Sequence, residues 1–300
     1  MKILLFGSNG QVGWELQRSL APLGELIVAE RGGETLCGDL TDLEGLARTV
    51  REVAPTVIVN AAAYTAVDRA ESEPQLCRTV NSLAPGVLAT EAGRLGAWMV
   101  HYSTDYVFDG SGERPWTESD PVAPLGVYGQ TKAEGETRIA DACAKHLILR
   151  TSWVYADRGT NFLRTMLRLL QERESLTVVD DQYGAPTGSE LVADVTAHVL
   201  KAAMVGDGLA GLYHLVPGGQ TTWFGYAQYI LACAKAWNMP VKGVLSAVAT
   251  SAYPTAARRP HNSRLNNKKL ESAFGLQLPP WQQGVRRVLA RCGRPGDALA

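Results

Sequence analysis

Cysteine is sparse and unpatterned in this 300-residue chain: Cys37, Cys77, Cys143, Cys233 and Cys292 are odd in number, far apart and never spaced C-x-x-C. That excludes a disulfide framework and a cysteine zinc site, and buried free thiols in a reducing compartment are the expected state. The five histidines are scattered without metal spacing, so packing or surface roles are expected and no metal ligand is assigned. No apolar run reaches 18 residues, so no membrane span is expected. An apolar strand from residue 2 gives no reason to expect a leader, and a cytoplasmic location follows. The formal charge of −1 supplies no field for nucleic acid or an anionic membrane, so neither partner is expected. There is no internal repeat and no low-complexity segment. With 46% hydrophobic and 20% charged residues, the composition is that of an ordinary globular protein with ample core.

What the chain has, it shows in its first 30 residues. Lys2-Ile3-Leu4-Leu5-Phe6 reads as a buried parallel strand, and Trp14 to Leu23 as a helix. Between them lies Gly7-Ser8-Asn9-Gly10-Gln11-Val12-Gly13. Glycine lets main-chain N–H groups approach a pyrophosphate closely, and the helix N-terminus adds partial positive charge there. A second strand, Leu26 to Ala29, ends at Glu30, where a dinucleotide site hydrogen-bonds the adenosine ribose.

Further along, the pattern predicts a brief strand over Leu36-Cys37-Gly38 ending at Asp39 and a helix over Asp42–Val53. Strands are predicted over Thr56–Val59, Trp98–Tyr102 and Leu147–Leu149. Glu71–Leu95 reads as a long helical stretch broken by Pro74 and Pro85 and closed by Gly96. This alternation argues a Rossmann-type α/β fold, a doubly wound parallel sheet over residues 1–153. Residues 154–300 read as a smaller mixed α/β substrate lobe, with segments returning to the first domain. Its predicted helices are Phe162–Arg173, Glu190–Met204, Phe224–Trp237 and Trp281–Cys292; its strands are Leu176–Val179, Leu212–Leu215 and Val244–Val248, and Gly293–Ala300 reads as a loose tail.

Tyr128-Gly129-Gln130-Thr131-Lys132 places a phenol and an ammonium one helical turn apart. In isolation such a pair is an ordinary solvated face. Beside a dinucleotide cradle and Tyr102-Ser103-Thr104-Asp105 it fits carbonyl reduction, with the ammonium expected to lower the tyrosine pKa from about 10.

These features resemble the extended short-chain dehydrogenase/reductases. The glycines stand at i, i+3 and i+6, although Phe6 replaces the Thr often found before the first, and Ser103-Thr104 with Tyr128-x-x-x-Lys132 is similar to that superfamily's catalytic set. The runs Val59–Asp68, Tyr102–Phe108, Arg150–Tyr155, Asp181–Thr187 and Arg259–Leu265 resemble the dTDP-4-dehydrorhamnose reductase family over nearly the whole chain.

The resemblance implies NADPH or NADH as cofactor and a thymidine-diphosphate 4-keto sugar as substrate, reduced to dTDP-L-rhamnose, with Tyr128, Lys132 and Thr104 catalytic. It implies cofactor contacts from Gly7, Asn9 to Gly13, Glu30, Arg31, Asp39, Leu40, Ala62, Ala63, Thr65, Tyr102, Tyr128 and Lys132, and substrate contacts from Thr104, Asp105 and Trp153. Asp39 reads equally well as a helix-start cap and Trp153 as simple core; the position of Asn81 resembles the family's active-site asparagine, with a helix-surface residue as the plainer reading. Arg258, Arg259 and Arg264 read as a solvated loop or as partners of a diphosphate. Some relatives use Mg²⁺ near a subunit contact, which brings in Glu15 and Glu190, although a solvated helical carboxylate is the plainer reading of each; a homodimer belongs to the same set of expectations. Similar sugar-nucleotide dehydratases carry Thr-Asp-Glu where this chain has Thr104-Asp105-Tyr106, so dehydration lacks half its acid/base pair. The rival readings are a 6-deoxytalose product and a non-catalytic module like the regulatory subunit of methionine adenosyltransferase; the intact Ser103, Thr104, Tyr128 and Lys132 speak against the second.

Overall fold

A computed structural model describes residues 1–33 and 35–292; the tail expected over Gly293–Ala300 lies outside them. Six strands, β1 (Lys2–Phe6), β2 (Glu25–Ala29), β3 (Val57–Asn60), β4 (Trp98–Thr104), β5 (His146–Thr151) and β6 (Gly211–His214), form one sheet in the order β6-β5-β4-β3-β1-β2. Every pairing in it is parallel.

Alternation along the strands explains why both faces are covered. Ile3 and Leu5 point to one side, with Val57, Val59, Val100, Leu147 and Leu149; Leu4 and Phe6 point to the other, with Ile58, Met99 and Ile148. Helices α1 (Gln11–Leu20) and α6 (Ser189–Val205) cover the first face. Helices α2 (Leu43–Val53), α3 (Ala84–Leu95) and α4 (Val127–Ala142) cover the second. Gly96 closes α3 in the left-handed region, its N–H donating to Ala92 and Gly93 carbonyls.

Remaining helices α5 (Phe162–Glu172), α7 (Trp223–Ala236) and α8 (Trp281–Cys292) pack around Tyr155, Tyr226 and Trp281. A two-stranded parallel sheet, Ser175–Val179 with Val244–Val248, borders them. The chain leaves the main sheet after Thr151 and returns with β6, so the returning segment expected from the sequence is a sheet strand. Among the described residues no helix is long and apolar enough to cross a membrane.

One expectation fails locally: Leu36-Cys37-Gly38 is irregular chain, tied to the end of β2 by the Gly38 N–H donating to the Glu30 carbonyl at 3.0 Å. The helical stretch expected over Glu71–Leu95 begins at Pro74 and runs unbroken to Leu95, through Pro74–Arg78, a wider helical turn over Thr79–Leu83 and α3, with Pro85 in the first turn of α3; the short helix Val67–Ala70 precedes it.

Candidate active site

The strand order reverses between β1 and β3, which opens a crevice at their carboxyl ends. Gly7 ends β1 there with φ +80, and a Cβ on it would lie 2.5 Å from the Ala62 nitrogen, on the loop after β3. A Cβ on Gly13 would lie 1.9 Å from the Gly7 carbonyl oxygen. Only glycine lets the three segments meet, and Asn9 and Gly10 stand exposed at the N-terminus of α1 with its first N–H groups free for an anion. Gln11 and Val12 occupy the first turn; Gln11 Oε1 accepts from Asn161 Nδ2 at 2.9 Å, tying the start of α5 to the cradle.

At the rim, Glu30 is exposed and its carbonyl accepts from Gly33 and Gly38. Arg31, also exposed, reaches Asp39 at 3.5 Å. Burial raises the Asp39 carboxyl, but the Thr41 N–H and hydroxyl and then Arg31 outweigh it and leave the pKa below its ordinary value. Asp39 is no helix cap: Asp42 caps α2 by accepting from Gly45 N–H at 2.8 Å. The Leu40 side chain is buried in the core beside α2. Ala62 is half-buried, while Ala63 and Thr65 are exposed. Asn81 is fully buried, contrary to a helix-surface reading, and clamps the Tyr64 peptide between its two amide ends at 2.9 and 3.0 Å.

Thr104 ends β4 and faces α4. Its hydroxyl donates to Asp105 Oδ1 at 3.0 Å and accepts from the Tyr106 N–H at 3.1 Å, and it lies near enough to the Tyr128 phenol to act on its pKa. Ser103, one residue earlier, points to the other face of the strand, and its hydroxyl has no partner among the described residues. Burial pushes the Asp105 carboxyl up to about 6 against the Ser263 and Thr104 hydroxyls. Lys132, one turn along α4 from Tyr128, is buried, and its Nζ donates to the Tyr102 carbonyl at 2.5 Å and meets His101 Nε2 at 3.1 Å.

The expected electrostatic effect on Tyr128 is not what the geometry gives. Burial drives the phenol above its ordinary value, with the Asp105 charge adding to the rise and Thr104 opposing it. Tyr128 therefore stands fully protonated at neutral pH. Tyr102 turns its own phenol to Thr196 on α6, 2.9 Å away, and offers this site only its carbonyl.

Trp153 sits in the left-handed region at φ +49 and stacks on Trp223 with centroids 3.7 Å apart and planes 14° apart. Gly184 lies beneath it, where a Cβ would meet the indole at 2.6 Å. Trp153 is half-buried and packs against the cluster around Tyr155, Tyr226 and Trp281 while keeping this left-handed backbone and stack. Of the three loop arginines only Arg258 is exposed, beside Tyr106 and Tyr128 in a narrow crevice. Arg259 pairs with Asp68 at 2.8 Å, and Arg264 holds Asn262 Oδ1 at 2.7 Å and lies over Tyr183.

Glu15 and Glu190 are not solvated. Glu15 is buried and paired with Arg18 at 3.2 Å; Glu190 is held by Arg287 at 3.2 Å and by Arg291. Sequence reasoning overlooked Trp223, Asn60 and His101; Asn60 lies within and His101 beside a run that carries the family resemblance, while nothing in its local pattern singles out Trp223.

Residues 1–294 match the family described as RmlD substrate binding domain. The chain is 56% identical over 290 residues to dTDP-4-dehydrorhamnose reductase of Escherichia coli (strain K12), covering 96% of this chain and 97% of that one. The solved structure of a dTDP-4-dehydrorhamnose reductase from Clostridium acetobutylicum superposes with a TM-score of 0.89 at 34% identity, over 97% of this chain and 99% of that one. That of the Bacillus anthracis enzyme, in complex with NADP, superposes at 0.88 with 33% identity and the same coverage. With its switch-point glycine cradle and its Thr104, Tyr128 and Lys132 cluster, this chain belongs to the RmlD family, that of the dTDP-4-dehydrorhamnose reductases.

Proposed function

We propose that this protein reduces the C4 ketone of dTDP-4-dehydro-6-deoxy-L-mannose to give dTDP-L-rhamnose, using NADPH and, less selectively, NADH, in the last step of dTDP-rhamnose formation. The observation that carries this reading is the placing of Thr104 beside buried Tyr128, one helical turn from Lys132, near the cradle where Gly7 and Gly13 leave no room for a Cβ. The cradle fits a dinucleotide pyrophosphate, and relatives over nearly the full chain carry the reductase name, one of them with NADP bound.

When bound, the nicotinamide supplies the hydride. Gly7, Asn9, Gly10, Gln11, Val12 and Gly13 hold the pyrophosphate on main-chain N–H groups; Glu30, Arg31, Asp39 and the Leu40 backbone serve the adenosine end; Ala62, Ala63 and Thr65 leave space at the strand ends. Lys132 and the Tyr102 carbonyl orient the ribose side. Tyr128, kept protonated by burial, gives its O–H proton to the carbonyl oxygen as negative charge develops there, and Thr104 holds the same oxygen. Tyr106 stands where elimination of water would need a carboxylate, so reduction ends the reaction. Asp105 and the Trp153–Trp223 wall shape the sugar site, and Arg258 offers a guanidinium to the diphosphate. Nucleotide contacts remote from the ketone then serve to orient it.

Supplying the purified protein with the thymidine-linked 4-keto sugar or the free 4-keto sugar, with NADPH, tests the reading. Loss of reduced-cofactor absorbance and formation of the rhamnose nucleotide only with the linked substrate is the expected result. Equal rates on both would refute nucleotide anchoring, and a 6-deoxytalose nucleotide would overturn the named product.

A further inference from the structure

Behind Lys132, two buried side chains form a hydrogen-bonded chain that the roles above leave unused. Asn60 ends β3 and His101 sits beside it on β4, their Cα atoms in register, and both are 1% exposed. The Asn60 Oδ1 accepts from the Ala62 backbone N–H at 3.1 Å, which fixes the orientation of the amide. Its amino end therefore meets His101 Nδ1, at 3.2 Å. An amino group only donates here, so Nδ1 is the ring's acceptor. Burial, followed by the neighbouring lysine, holds the imidazole well below its ordinary pKa, so the ring is neutral and carries its one proton on Nε2.

That N–H faces Lys132 Nζ at 3.1 Å. An ammonium has no lone pair to accept it; an amine does. The other partner of Nζ, the Tyr102 carbonyl, accepts from either form. The remaining groups acting on Lys132 are Glu136 on its own helix and Cys77 from Pro74–Arg78, both favouring the ammonium, yet burial outweighs them and brings the lysine down to about 8. Tyr128, one turn before it on α4, is uncharged at neutral pH.

We propose that His101, oriented by Asn60, is a positioning residue that donates through Nε2–H to Lys132 and so favours the lysine amine over the ammonium. Its consequence for turnover rests on the reductase reading. Once Tyr128 has given its proton to the ketone oxygen, a phenolate remains. A proton given up by the Lys132 ammonium restores it, passed on by water because Nζ itself faces His101 and the Tyr102 carbonyl: one N–H bond breaks, one O–H bond forms on the phenol, and the amine left behind is the form that His101 receives. The lysine then takes a proton from water for the next turnover.

Nitrogen-15 NMR of the full-length protein with labelled histidine reads the ring directly: a protonated Nε2 and a bare Nδ1 for His101 are expected, and a ring protonated at Nδ1 overturns the proposal. The second arm is His101→Leu, which removes the donor. Lys132 then stays charged to higher pH, and the alkaline limb of the kcat/KM profile moves up by about one pH unit. A downward shift would mean the ring accepts from an ammonium, and an unmoved profile would mean the histidine is merely structural; either overturns the proposal. A wild-type protein with no reductase activity at all would refute the function while the NMR result still judged His101.

Discussion

Asp68 and Arg259 lie 191 positions apart in the chain and meet in an ion pair of 2.8 Å. Asp68 also accepts from the Ala257 N–H at 3.1 Å, so the loop after β3 and the loop at 257–260 are fastened at two points. The Arg259 charge in turn acts on the Tyr106 phenol, opposing the rise that burial gives its pKa, and Tyr106 packs edge-on against Tyr128 at 5.7 Å. One guanidinium thus connects the cofactor side of the crevice to the sugar side.

Arg259→Ala removes the ion pair with Asp68 and the positive charge beside the Tyr106 phenol. The KM for the sugar nucleotide should rise by about 10-fold or more, the scale of a charged hydrogen bond, while the KM for NADPH stays within about twofold. Steady-state kinetics with each substrate varied decide it. Equal damage to both constants would mean that the ion pair supports the fold at large and not the sugar side.

Asp105 gives the stability a sign that can be checked against pH. Its folded pKa, about 6, is raised above the ordinary carboxyl value by burial, so the folded state holds the proton more tightly than the unfolded one. Stability therefore falls as pH rises from about 4 to about 6 on this account, and the cost is complete above that window. Asp105→Asn should raise stability by about 1–3 kcal/mol at pH 7.5 and by nothing measurable below pH 4. Denaturant titrations at the two pH values test this; a stabilisation that is the same at both would contradict it.

On the proposed reading, cofactor choice turns on Arg31. Glu30 would accept hydrogen bonds from a free ribose diol and repel a 2′-phosphate, while Arg31, 81% exposed and only loosely paired with Asp39, would meet that phosphate. Both NADH and NADPH should support turnover, with a preference below about 10³-fold. Arg31→Ala should lower kcat/KM for NADPH by about 10-fold and leave NADH unchanged; the reverse pattern would assign the phosphate to another residue.

The parts of the site that were legible in the sequence are those whose chemistry is local. Gly7, Gly10 and Gly13 announce the cradle because the strand, turn and helix that use them are contiguous, and Tyr128 and Lys132 announce their face because four residues make one helical turn. Asp39 misled because a carboxylate before a helix suits either a turn or a cap, and the cap falls to Asp42 three residues on. The short strand expected at Leu36–Gly38 failed because three residues are too brief a run to carry a ladder beyond the Gly38 N–H bond to the Glu30 carbonyl. The pKa of Tyr128 could not be read from spacing: burial acts on it more strongly than a lysine whose Nζ is turned to His101 and the Tyr102 carbonyl. Trp223 and the Asp68–Arg259 pair depend on long-range contacts that no window of the chain contains.

The central claim is that the Tyr128 hydroxyl delivers the proton in a ketone reduction, and Tyr128→Phe removes that hydroxyl and nothing else. Single-turnover reduction of the thymidine-linked 4-keto sugar by the NADPH-loaded variant measures it directly, with the thermal midpoint and NADPH affinity recorded alongside. The rate should fall by at least about 10²-fold while the fold and the cofactor affinity are kept. A folded, NADPH-binding Phe variant that reduces the sugar at a near-normal rate would contradict the account.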